Sequence, residues 1–203
     1  MKILCVGRNY QEHAQELNNP VPTTPLIFFK PDTALLRNNK DVYYPEFTQD
    51  LHFECEMVVR ISREGKFIQE EFVSSYIDGV GIGLDLTARD IQSEAKQKGL
   101  PWTLAKGFND AAPVSKFLPP EQFPDLQDVR FRCDINGETR QEGHTADMIF
   151  SVRYLIQYIS QFITLKKGDL VFTGTPKGVG PLHVGDRVEG YLAGEKLMDC
   201  SIR

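Results

Sequence analysis

No stretch of the 203-residue chain approaches the ~18 consecutive apolar residues of a membrane-spanning helix. The apolar start, Met1 to Val6, ends at Gly7-Arg8-Asn9-Tyr10, too soon for a secretory leader, and no small-residue cleavage site follows. It is also neither Arg-rich nor poor in acids, as a transit peptide would be. These absences read as a cytoplasmic protein with no membrane partner. Cysteine is scarce: Cys5, Cys55, Cys133 and Cys200 stand singly with no C-x-x-C pair, which favours reduced thiols over a disulfide framework. Clustered positive charge is missing too. With 23 Lys and Arg against 28 Asp and Glu the net charge is −5, which argues against nucleic-acid backbone binding but not against a small anionic substrate. There is no G-x-S-x-G elbow for a serine hydrolase, and His13-x-x-Glu16 is not H-E-x-x-H. The glycine-rich run 174–180 lacks the Gly-Lys-Ser/Thr ending of a phosphate loop.

What is present suits one globular domain. Hydrophobic residues make up 41 % and charged residues 25 %, enough for a core without disulfide or metal staples. Twelve prolines and sixteen glycines cut the chain into short elements. Apolar-alternating runs predict strands over residues 2–6, 26–29, 53–61, 80–84, 129–135, 170–173 and 187–192. Helices are predicted over 10–17, over 88–98 with a capping-box-like Thr87 and Asp90 and a stop at Gly99, and over 147–162. Strands and helices do not alternate regularly, so a doubly wound parallel sheet is not expected. The expected class is α+β, mainly β. Residues 1–35 read as a strand and lid segment ahead of a 36–203 core, the whole forming a single catalytic domain.

The most informative segment is His52-Phe53-Glu54-Cys55-Glu56-Met57-Val58-Val59-Arg60-Ile61. Side chains alternate across a strand, so Phe53, Cys55, Met57, Val59 and Ile61 line an apolar face. Glu54 and Glu56 then share the other face, where like charges repel unless something positive lies between them. Taken alone, a solvated strand face accounts for them. Asp85 adds a third carboxylate at the end of the apolar run Val80 to Leu84, where a strand feeds a helix. Two glutamates and an aspartate make an all-oxygen set for a hard cation, Mg²⁺ or Mn²⁺. No His or Cys joins at ligand spacing, which disfavours Zn²⁺. His52 shares the face as a structural or supporting group.

These residues carry a resemblance. Gly7-Arg8-Asn9-Tyr10 with His13 and Glu16, Phe29-Lys30-Pro31, Glu54-x-Glu56, Asp85-Leu86-Thr87-Ala88-Arg89-Asp90, Leu100 to Lys106, Gln141 with Thr145-x-x-Met148-Ile149-Phe150, and Thr173 to Gly180 stand in the order of one family. The chain resembles the fumarylacetoacetate hydrolase superfamily, most closely its short acylpyruvate hydrolase/oxaloacetate decarboxylase branch. The resemblance implies a mixed β-roll or sandwich core, a homodimer, and Mg²⁺ or Mn²⁺ held by Glu54, Glu56 and Asp85. It also implies that Arg8, Tyr10, Arg89, Gln92 and Thr175 bind substrate, that Lys106 stabilises a developing oxyanion, and that the 10–20 segment orders over the site as a lid. His13 and Glu16, three apart on a short helix, share a face, and a carboxylate beside an imidazole suits a general base for water. A surface His–Glu pair is the plainer reading of that spacing, as a salt bridge to Asp85 or Glu94 is for Arg89 and a surface lysine is for Lys106.

The function implied is metal-dependent hydrolysis of the C–C bond of 2,4-dioxo acids such as acetylpyruvate or fumarylpyruvate, by way of a metal-bound pyruvate enolate. Oxaloacetate decarboxylase or tautomerase and 2-hydroxyhepta-2,4-diene-1,7-dioate isomerase are alternatives on the same residues. A non-catalytic ligand-binding protein is a third, disfavoured by the complete residue set. The partner expected is a small dicarboxylate or 2-oxo acid. Lys30 and Arg37 are candidates to read a distal carboxylate.

Overall fold

Short apolar runs punctuated by Gly, Asn and Pro fold into many short strands. The computed structural model describes residues 1–17 and 20–203; residues 18 and 19 of the expected 10–20 lid lie outside them. In chain order the strands are β1 (Ile3–Gly7), β2 (Leu26–Lys30), β3 (Leu35–Leu36), β4 (Leu51–Phe53), β5 (Cys55–Ile61), β6 (Ile77–Leu84), β7 (Thr87–Ala88), β8 (Ala112–Pro113), β9 (Arg130–Ile135), β10 (Glu138–His144), β11 (Leu170–Phe172), β12 (Gly180–Pro181), β13 (Arg187–Leu192) and β14 (Glu195–Ser201). The helices are α1 (Gln11–Glu16), α2 (Arg89–Lys98), α3 (Thr103–Lys106) and α4 (Val152–Phe162).

The main sheet runs β2-β1-β11-β5-β6, with β1 and β11 its one parallel pair. An antiparallel sheet, β10-β9-β13-β14, packs on it, and two small sheets, β12-β4-β7 and β3-β8, complete the set. Gly190 of β13 lies so close to β6 that an added Cβ would stand 3.2 Å from Ile82. This is the mainly β, packed-sheet α+β class that the sequence predicts. The 1–35 segment is woven into it, because β1 pairs with both β2 and β11. Among the described residues no helix is long and apolar enough to cross a membrane.

Three local expectations are corrected by tertiary contacts. The 147–162 helix starts only at Val152. Ser151 Oγ caps it by accepting from Tyr154 N at 3.1 Å, and Asn9 draws the preceding residues into extended backbone. Ile149 N donates to Asn9 O, and Phe150 N to Asn9 Oδ1. The Thr87/Asp90 capping box does not form. Thr87 Oγ1 donates to Asp85 O, and the Asp90 carboxylate accepts from Thr48 Oγ1 and Gln49 N. The single strand expected over 53–61 is two, broken at Glu54.

All four cysteines are free and buried. Burial, aided by nearby Cys133 and Asp41, pushes the Cys200 thiol up to about 12, against ~8.5 for an unfolded thiol. The native state keeps a proton that the unfolded chain gives up, so this contribution to stability is present below ~pH 8.5 and lost as pH rises above it. At pH 8 the native protein should titrate none of its four thiols with a disulfide reagent, and all four in denaturant. Stoichiometric labelling of the native protein would contradict this burial.

Candidate active site

The site is built around a backbone break. Glu54 sits between β4 and β5, and both polar groups of the next residue are held by side chains from elsewhere in the chain. Cys55 N donates to Gln141 Oε1 at 2.9 Å, and Cys55 O accepts from Thr175 Oγ1 at 2.8 Å. The β5–β6 register sets Cys55 opposite Leu84 and Glu56 opposite Gly83. Asp85, just past β6, is thereby brought beside Glu54, and Asp85 N donates to Glu54 O at 2.8 Å. Glu54, Glu56 and Asp85 are 6 %, 1 % and 1 % exposed, so the solvated strand face is not what forms. Each offers an oxygen within 4.8 Å of the others.

Three cations surround the carboxylates. Lys106 is buried, not a surface lysine, and its Nζ donates to Glu54 Oε2 and Asp85 Oδ2, both at 2.8 Å. Arg89 pairs with neither Asp85 nor Glu94. Its Nη2 donates to Glu54 Oε1 and its Nη1 to Gln92 Oε1, each at 2.7 Å. Lys30, fully buried, donates to Leu86 O and Lys106 O and stands 2.8 Å from Asp85 Oδ1. Burial pushes the Glu54 carboxyl up, but Lys106 and Arg89 overcome it and hold it well below the usual range. Burial would lower Lys106, but Asp85 and Glu54 raise it.

Glu56 is different. Burial and then the Asp85 charge push its carboxyl well up. Its Oε2 accepts from Gly174 N at 2.7 Å, and among the described residues it has no salt-bridge partner. That donor sits in a turn only glycine suits: φ is +104°, and an added Cβ would lie 2.6 Å from Asn9 Cβ. Asp85 Oδ1, buried, accepts no hydrogen bond among the described residues, although the Lys30 ammonium stands 2.8 Å away. A carboxylate without a cation, an oxygen without a donor and an all-oxygen set fit a hard divalent cation. Glu54, Glu56 and Asp85 would hold it.

The remaining expected residues fall into two groups. Helix α1 is formed and docked, with His13 only 4 % exposed. His13 Nδ1 lies 3.2 Å from Glu16 Oε2, and Glu16 Oε1 accepts from Gly178 N at 2.9 Å, tying the helix to the 174–180 loop. His13 shares a small cavity of about 30 Å³ with Arg8, Glu54, Arg89, Gln92 and Lys106. Arg8 adopts a left-handed backbone, φ +59°. Tyr10 and Thr175 are not on that cavity. The Tyr10 hydroxyl is buried and has no hydrogen-bond partner among the described residues. The Thr175 hydroxyl is committed to Cys55 O and to Gln141 Nε2.

Lys96 also lines the cavity and was missed in the sequence. It continues the face of α2 that carries Arg89 and Gln92, at i, i+3 and i+7, a spacing that could have found it. Gln141 was noted in the family pattern without a role. It sits on β10, a strand too polar to predict from alternation, although the Asn136-Gly137 pair before it is a hairpin signal. Both residues adopt positive φ, +54° and +81°. Besides holding Cys55 N, Gln141 donates from Nε2 to Thr175 Oγ1 at 2.8 Å and to Pro176 O at 2.9 Å. Gln141→Leu strands those buried groups and should cost ~2–4 kcal/mol of unfolding free energy, measurable by urea denaturation. A loss under ~0.5 kcal/mol would contradict the bracing role.

A family model described as "Fumarylacetoacetate (FAA) hydrolase C-terminal" matches residues 2–202, and the chain belongs to the fumarylacetoacetate hydrolase family. It is 47 % identical over 201 residues to the mouse (Mus musculus) protein named oxaloacetate tautomerase FAHD1, mitochondrial, covering 99 % of this chain and 91 % of that one. It is 42 % identical over 194 residues to a mitochondrial oxaloacetate decarboxylase of Dictyostelium discoideum, covering 95 % and 89 %. The fold is similar to the fumarylpyruvate hydrolase of Pseudomonas aeruginosa, solved with Mn²⁺ and pyruvate. There the TM-score is 0.94 and the identity 34 %, over 100 % of this chain and 89 % of that one.

Proposed function

We propose that the chain is a Mg²⁺- or Mn²⁺-dependent enzyme that hydrolyses the C–C bond of acylpyruvates. The observation that carries this reading is His13, buried on the same cavity as Glu54, Arg89 and Lys106, with its Nδ1 3.2 Å from the exposed Glu16 carboxylate. A divalent cation on Glu54, Glu56 and Asp85 would supply Lewis-acid stabilisation of negative charge on a 2-oxo acid. Glu16 engages His13 Nδ1, which leaves Nε2 to take a proton from water attacking the C4 carbonyl. The C3–C4 bond then breaks, giving a carboxylic acid and the pyruvate enolate. Lys106 has three N–H groups and spends two on Glu54 and Asp85, leaving one for the enolate oxygen. Arg8, Arg89, Gln92 and Lys96 orient the substrate carboxylate. Tyr10 and Thr175 act at one remove, behind Glu56 and Cys55.

The second reading is oxaloacetate tautomerisation or decarboxylation, and the mouse and Dictyostelium relatives favour it. It uses the same enolate chemistry without an attacking water. Those relatives are named mitochondrial; four buried free thiols suit any reducing compartment, the cytoplasm included. The whole chain would act as one catalytic domain, with α1 as its lid. Exposed Phe67, Phe72 and Phe162 offer apolar surface for the homodimer that the resemblance implies.

The test is loss of acetylpyruvate enol absorbance with Mg²⁺, with product analysis and an EDTA control. EDTA-sensitive loss with one pyruvate and one acetate per turnover is the expected result. Turnover of oxaloacetate with none of acetylpyruvate would replace the first reading with the second.

A further inference from the structure

The cavity at His13 is about 30 Å³, too small for more than the head of a 2-oxo acid. Beyond it lies a groove of about 850 Å³ between edge strand β2 and the 100–103 loop. The two spaces share Phe28, Trp102 and Lys106 as lining. Phe28 and Trp102 meet edge to face at 5.9 Å, and the Lys106 ammonium sits 5.2 Å from the Phe28 ring centre. An acyl chain attached to a head held at Lys106 would run past this aromatic pair into the groove.

The groove's chemistry says what that chain is. Leu26, Ile27, Phe29, Leu100 and Pro101 supply much of the wall. None of its lysine side chains is free. Lys2 Nζ pairs with Asp169, Lys106 with Glu54 and Asp85, and Lys30 donates to Leu86 O and Lys106 O and is ion-paired with Asp85. Lys30 is therefore not available to read a distal carboxylate. Arg37, the other candidate, lines a separate cavity with Arg60 and Lys116. The groove does hold an acid, Asp32, whose charge repels a second carboxylate.

Building on the acylpyruvate reading, we propose that this groove is an acyl-chain subsite and that the preferred substrates are acylpyruvates with a medium-length apolar tail rather than a second carboxylate. Burying a methylene in such a groove is worth about three- to fourfold in specificity. The head stays at His13 and Lys106, so tail and chemistry are separable.

The experiment compares kcat/KM for acetyl-, butanoyl-, hexanoyl- and fumarylpyruvate in wild type, Ile27→Arg and Leu100→Arg. Neither substituted residue belongs to the catalytic cavity, and Leu100 lies in a loop, so one variant is spared any strand defect. Wild type should gain about three- to fourfold per methylene and favour hexanoyl- over fumarylpyruvate. Both variants should keep acetylpyruvate turnover within about twofold, lose the chain-length gain and improve on fumarylpyruvate. A flat series with normal acetylpyruvate turnover overturns the subsite and leaves the hydrolase reading intact. If no acylpyruvate is hydrolysed, the hydrolase reading fails and binding decides the groove. Trp102 is the chain's only tryptophan, so its fluorescence should report 2-oxooctanoate far more tightly than pyruvate in wild type and not in Ile27→Arg. Equal affinity for the two acids overturns the proposal.

Discussion

Glu56→Gln should cut cation-dependent turnover about a thousandfold while raising the melting temperature of the cation-free protein. The first effect follows from losing a charged ligand whose cation contributes several kcal/mol of charge stabilisation. The second follows from its surroundings. Glu56 is 1 % exposed, stands beside Asp85 and has no salt-bridge partner among the described residues. Its neutral isostere removes the buried like-charge contact and can still accept from Gly174 N. A gain of ~1 kcal/mol corresponds to a rise of roughly 2–4 °C in a protein of this size. Glu54→Gln should behave oppositely, because Glu54 neutralises Lys106 and Arg89. Leaving buried Lys106 and half-buried Arg89 underpaired should cost about 3–5 kcal/mol. Thermal melts in EDTA and in excess Mg²⁺ check both variants. A lower cation-free Tm for Glu56→Gln, or an undiminished Mg²⁺ response, would contradict the assignment.

His13→Ala should lower acylpyruvate hydrolysis by about 10²–10⁴-fold, the usual worth of a positioned general base. Oxaloacetate decarboxylation, which needs no attacking water, should fall by less than about tenfold. Steady-state assays of both reactions on one preparation make the comparison. His13 is buried against Glu16 on a six-residue helix, so a melting curve must accompany them to separate lost chemistry from a lost lid. Equal losses in the two reactions would remove His13 as the water base.

The three carboxylates were legible because they break the pattern around them. Glu54 and Glu56 interrupt an apolar run, and Asp85 ends one. Their burial was not legible, since alternation alone allows an open face opposite Met57 and Val59. It comes from β5 lying between β11 and β6 and from Gln141 and Thr175 bracing Cys55. Gln141 lies 86 residues from Cys55 in the chain, and no local signal joins them. The partners of Lys30, Lys106 and Arg89 were hidden for the same reason. Helix α4 starts late because Asn9, 141 residues from Phe150, holds the segment that propensity would have made helical. Periodicity found most long elements, and the contacts that set charge and burial at the site are long-range.

Mn²⁺ titration followed by electron paramagnetic resonance, with and without pyruvate, tests most directly whether three buried carboxylates hold a cation for 2-oxo acid chemistry. Wild type should bind one Mn²⁺ per chain with a spectrum that pyruvate perturbs, and Glu56→Gln should bind it at least tenfold more weakly. Equal Mn²⁺ binding by the two proteins, or a spectrum indifferent to pyruvate, would contradict the account.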